Sequence, residues 1–87
     1  MNIYEKVSVN ILYYMNKLQN DDAFKNQYPN ITVEEYLVTK TKIKPKRLSN
    51  ILTDKGKAKI DEIYAISLAL NVKLSDIITY EVKHIDS

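Results

Sequence analysis

A chain of 87 residues suits one small domain with a single modest core. Cysteine is absent and histidine occurs once, at His84, which excludes disulfides, thiolate zinc sites and a histidine metal cluster. No charged segment followed by a long apolar run opens the chain and no stretch of about 18 apolar residues occurs, so a soluble, cytoplasmic protein is expected. The net charge of +2 hides an asymmetry. Residues 40–59 carry Lys40, Lys42, Lys44, Lys46, Arg47, Lys55, Lys57 and Lys59 against Asp54 alone, eight positive charges less one, or +7. The remainder has five basic and ten acidic residues, or −5. A dipolar molecule of this kind attracts nucleic acid phosphates, acidic lipid surfaces or acidic proteins.

Ile3, Val7, Ile11, Tyr14, Met15 and Leu18 recur at spacings of three and four, which predicts a first helix over about Tyr4 to Leu18. The following QNDDAFKNQYPN has no clear period and reads as a loop ending in Tyr28-Pro29-Asn30, with Phe24 and Tyr28 covering the core edge. Thr32 before Glu34 and Glu35 is a helix start, so a second helix is expected from Val33 to about Thr41 with Leu37 and Val38 inward. A break must follow near Lys42, because Lys44 precedes Pro45 and is biased away from helical geometry. Pro45 suits the first position of a third helix reaching Thr53, with Leu48, Ile51 and Leu52 inward. Lys46, Arg47, Ser49, Asn50 and Thr53 are then left outward.

Asp54 to Lys59 is a loop holding the only glycine, Gly56. Ile60, Ile63, Ile66, Ala69 and Leu70 define a fourth helix that Asn71 closes in the left-handed conformation. A short fifth helix begins near Leu74 and carries Ile77 and Ile78. In the tail, Tyr80, Val82 and His84 alternate enough for a short C-terminal edge strand. The expected fold is all-α, one domain over 1–87.

Two short helices joined by a tight break make a helix-turn-helix over about 33–53. A helix that enters the major groove needs a slim, hydrogen-bonding outer face and cationic flanks for phosphates. Pro45 to Asn50 offers that face, and Lys40, Lys42, Lys55, Lys57 and Lys59 offer the flanks, beside Lys44.

From Val33 onward the chain resembles the Cro and phage-repressor type helix-turn-helix family, also called the xenobiotic-response-element type. The resemblance rests on IDEIYAISLALNVKLSDII, residues 60–78, where Ala69, Leu70, Asn71, Val72, Leu74, Ile77 and Ile78 match the family's last two helices. Without a gap, Leu37 and Val38 then fall at the buried pair of its second helix, Ile43 in the turn, and Leu48 and Ile51 on the buried face of its third. It covers roughly residues 32–78.

The resemblance implies a five-helix lambda-repressor-like DNA-binding domain, here with an added N-terminal region. It implies a transcriptional regulator that acts on double-stranded DNA, most simply a repressor of bacterial, phage or mobile-element type. Pro45, Lys46 and Asn50 would read bases, followed by Arg47 and Ser49. Thr32 or Val33 would offer a backbone N–H to phosphate. Family members usually dimerise, which assigns a contact to the fifth helix and the tail 79–87, or to the tyrosine face of the first helix.

Three departures stand out. The turn has Lys42 where the family usually has glycine, and a left-handed lysine costs about 1 kcal/mol or more, which leaves the turn free to differ. The family's Glu-x-Gly after the third helix is replaced by LTDKGKAK, so that loop should follow another path. The connection between the first two helices is several residues longer than usual.

Other readings are weaker. The pairs Glu34–Glu35 and Asp61–Glu62 stand in first helical turns, where the macrodipole is sufficient explanation. The tyrosines fit amphipathic packing better than a single-strand stacking platform. No nucleophile–base pair, phosphate loop or metal spacing is present, so no enzyme and no cofactor is expected. The alternative to a regulator is an antitoxin-like or antirepressor module whose partner is another protein. A generic binder of RNA or a membrane surface is the third reading.

Overall fold

The computed structural model describes residues 2–79, which form six helices: α1 (Ile3–Gln19), α2 (Asp22–Gln27), α3 (Val33–Thr41), α4 (Pro45–Leu52), α5 (Ile60–Leu70) and α6 (Leu74–Ile77). The fold is all-α, and no strand occurs among the described residues. The expected tail strand and the dimer contact from 80 onward lie outside the described residues.

Side chains in the preceding segments cap the starts of α1, α2 and α3. Asn2 accepts from the Glu5 N–H at 3.0 Å, and Asp21 accepts from the N–H groups of Ala23 and Phe24 at 2.8 and 3.2 Å. Thr32 and Glu35 form a reciprocal capping box: the Thr32 hydroxyl accepts from Glu35 N–H at 3.1 Å, and Glu35 accepts from Thr32 N–H at 3.0 Å. At α4 no side chain caps the first turn, and Pro45 occupies its first position.

The stretch 22–27, expected as loop, is the short helix α2. Asp21 supplies its cap, and its one buried apolar residue, Phe24, leaves no periodic pattern to read. Phe24 is buried against Tyr28 and Tyr36, with ring centroids 5.3 and 5.2 Å away. The Phe24 and Tyr28 rings, with Met15 and Val33, border an open cleft of about 550 Å³.

α1 lies at the centre of the packing, touching every other helix. Its Val7, Ile11 and Met15 meet Leu37 of α3, Leu48 and Ile51 of α4, Ile63 and Ile66 of α5, and Ile77 of α6 in one continuous core. Two buried polar side chains of α1 fasten the ends of other helices. The Ser8 hydroxyl donates to the Ile51 carbonyl at 2.6 Å, and the Asn10 amide donates to the Ile77 carbonyl at 2.9 Å. Both acceptors lie at helix C-termini, where carbonyls lack intrahelical partners. Ile77 of α6 is fully buried in that core, and Leu74 and Ile78 are partly buried against it. Ile60, expected among the inward residues, is 61% exposed.

Candidate nucleic-acid interface

The turn between α3 and α4 is tight. Lys42 closes α3 in the left-handed region at φ 61°, and its N–H donates to the Val38 carbonyl at 2.9 Å. The chain therefore follows the glycine-type turn with a lysine in the strained position. Thr41 braces it: its hydroxyl donates to the Leu37 carbonyl at 2.6 Å and accepts from Ile43 N–H at 3.2 Å. Lys44 and Pro45 then direct the chain into α4.

Leu48, Ile51 and Leu52 turn into the core, which leaves Pro45, Lys46 and Ser49 exposed and Asn50 half-exposed on the outer side of α4. The Asn50 carbonyl accepts from Lys55 N–H at 2.9 Å and Gly56 N–H at 3.2 Å, so the 54–59 loop folds back over the end of α4. Asp54 adopts φ 58° as it reverses the chain, a geometry that aspartate tolerates better than most side chains. This path brings Lys55 close to the end of α4.

Arg47 changes role. Expected as an outward base reader, it is half-buried and committed within the protein. Its Nε donates to Glu62 Oε2 at 2.8 Å, and Nη2 donates to Glu62 Oε1 at 2.7 Å and to the Lys57 carbonyl at 2.8 Å. Glu62 Oε1 also accepts from Lys59 N–H at 2.8 Å. The bidentate hydrogen bond from Arg47 holds the Glu62 carboxyl below the ordinary carboxylate range, against the opposing effect of burial; the same bond raises Arg47 above its own ordinary value. Arg47 thus ties α4, the 54–59 loop and the start of α5 together. Gly56 makes room for it: a Cβ there would stand 2.7 Å from Arg47 Nη1. Glu62 was read from sequence as a first-turn acid only, since its partner lies 15 residues upstream and no local pattern links them.

The remaining cations divide. Lys40 leans over the Tyr36 ring with 5.8 Å to the centroid, on the side of α5, and Lys57 lies 5.4 Å from the centroid of Tyr4 on α1. Lys42, Lys44, Lys46, Lys55 and Lys59 are exposed; among the described residues the first four form no salt bridge, while the charge of Lys59 acts favourably on the Glu62 carboxylate. Thr32 and Val33 fit phosphate binding less well than expected. The Thr32 N–H is already held by Glu35, the Val33 side chain is buried, and Glu34 and Glu35 stand in the same turn. Among the described residues no group of three His, Cys, Asp or Glu could hold a metal ion, and no helix is long and apolar enough to cross a membrane.

No protein-family model, curated protein or solved structure matches the chain.

Proposed function

We propose that the chain is a sequence-specific, double-stranded DNA-binding regulator of the lambda-repressor-like helix-turn-helix type, working in the cytoplasm as a homodimer and most simply as a repressor that occupies an operator. The observation that carries the reading is α4 itself. It follows a tight turn, buries one face, and exposes a slim polar face amid lysines, of which Lys42, Lys44, Lys46 and Lys55 form no salt bridge among the described residues.

In this reading α4 lies in the major groove. Asn50 pairs with adenine, Lys46 with guanine, Ser49 with either, and Pro45 meets a thymine methyl. Arg47 is a positioning residue: it holds Lys55 and Lys59 beside the groove through the loop and Glu62. Lys42, Lys44, Lys55 and Lys59 neutralise phosphates, whose released counterions supply affinity without sequence preference.

The test is selection of bound sequences from a random duplex library at about 150 mM salt, where the unspecific phosphate component is suppressed. A recovered motif with two half-sites about one helical turn apart supports the reading. A folded protein that recovers no motif contradicts it. The second reading, a protein-interaction module on the same fold, would use the exposed Lys42, Lys44, Lys46 and Lys55 as a docking surface for an acidic partner. A stable complex with an acidic protein, undisturbed by DNA, would support that one instead.

A further inference from the structure

α5 is apolar on two sides. Ile63, Ile66 and Leu70 face the core, while Ile60, Tyr64 and Leu68 are 61%, 52% and 61% exposed. The exposed three are spaced by four, so they form a continuous stripe along the helix. Single exposed apolar side chains are ordinary, but three large ones in a row mark a surface that is covered by something.

We propose that the stripe is the contact with a second copy of this chain, with the two α5 helices packed antiparallel about a two-fold axis near Tyr64. The surface beside the stripe is self-complementary in the way an isologous contact requires. A hollow of about 370 Å³ lies next to Leu68, between Ala65, Ala69 and Tyr36, where the small alanines leave room for a side chain of the partner copy. Antiparallel packing sets Leu68 of one copy against Ile60 of the other. Charge follows the same exchange: exposed Lys40 borders the Leu68 end, and exposed Asp61 adjoins Ile60, so each cation meets an acid across the axis. The tyrosine side of α1 makes a poorer contact, because Tyr13 and Tyr14 pack edge-to-face on each other at 5.0 Å and are half-buried.

Three side chains with this rim fall short of the ~800 Å² per partner of a standard interface. The dimer is therefore weak, with a dissociation constant on the order of 10–100 µM in the absence of other ligands. The inference adds a contact surface to the homodimer proposed above. Its measurement uses no DNA, so failure of the dimer contact and failure of operator binding are separately visible.

Sedimentation equilibrium on the full chain, from about 1 to several hundred µM, should show the mass rising from 10.1 kDa toward twice that value. Tyr64→Glu should move the midpoint at least about tenfold upward while leaving the thermal midpoint unchanged, since its side chain is exposed. Asp61→Lys should weaken association, and adding Lys40→Asp in the same chain should restore it, because each variant copy then presents both reversed charges. A monomer at every concentration overturns the proposal, as does a dimer indifferent to Tyr64→Glu. Failure of the doubly reversed chain to recover overturns the antiparallel arrangement.

Discussion

Arg47 and Asn50 are neighbours on α4 with different work, and substitutions separate them. Asn50→Ala should weaken binding to the selected duplex by about 1–3 kcal/mol and relax preference at one base position. Lys44→Ala should weaken all duplexes alike and reduce the salt slope by about one; fluorescence anisotropy against selected and scrambled duplexes at several salt concentrations distinguishes the two. The Arg47–Glu62 pair has its own signature. Glu62 has a lowered folded-state pKa, so the folded chain binds fewer protons than the unfolded one, and the stabilisation is complete above the unfolded glutamate value of about 4.3. It is lost as pH falls through the lower folded value. The difference in thermal midpoint between the parent chain and Glu62→Gln should thus be largest near neutrality and shrink below about pH 4. Gly56→Ala would press a methyl group against an Arg47 Nη1 whose guanidinium is held by three hydrogen bonds. It should lower stability by about 1 kcal/mol or more in urea unfolding.

At the scale of elements, α3, α4 and α5 were legible because their ends carry local chemistry: Thr32 with Glu35, Pro45, and Asn71 at φ 58°. α2 was not legible, because six residues with one buried side chain show no period, and its only advertisement is the Asp21 cap. The outer face of α4 could be read from spacing, but the capture of Arg47 could not, since it depends on where the loop after α4 brings Glu62. Ile60 misled for a related reason: in a helix apolar on two sides, periodicity alone does not say which stripe is buried. The turn residue Lys42 followed backbone rules over side-chain preference. Lys42→Gly should stabilise the domain by about 1 kcal/mol by removing left-handed strain, seen as a higher midpoint in urea, while weakening duplex binding through loss of one charge.

For the whole molecule, net charge is a poor guide. A value of +2 suggests indifference to polyanions, yet five exposed lysines sit around α4 and its loop, four of them with no salt bridge among the described residues. Each phosphate neutralised contributes about −0.9 to the slope of log affinity against log salt on duplex DNA, so random duplex should give a slope of about −4 per protomer. A slope near −1 would mean that most of these lysines face solvent in the complex. Repulsion among them is offset by the core that α1 organises, since the cationic segment itself buries little beyond Leu48, Ile51 and Leu52.

The two polar clasps on α1 also constrain the order of assembly. Ser8 reaches a carbonyl 43 residues later and Asn10 one 67 residues later, so α1 is completed by helices far along the chain. Contacts of such separation require most of the chain before they are rewarded. During synthesis α1, α3 and α4 can emerge and coil locally, but α4 is not seated against α1 until Ile51 has arrived, and the Asn10 clasp on α6 does not close until Ile77 follows. A chain that has not yet reached Ile77 therefore carries the lysine-rich segment without the full framework that holds it in shape, and the exposed lysines around α4 gain a rigid base only once α6 is in place.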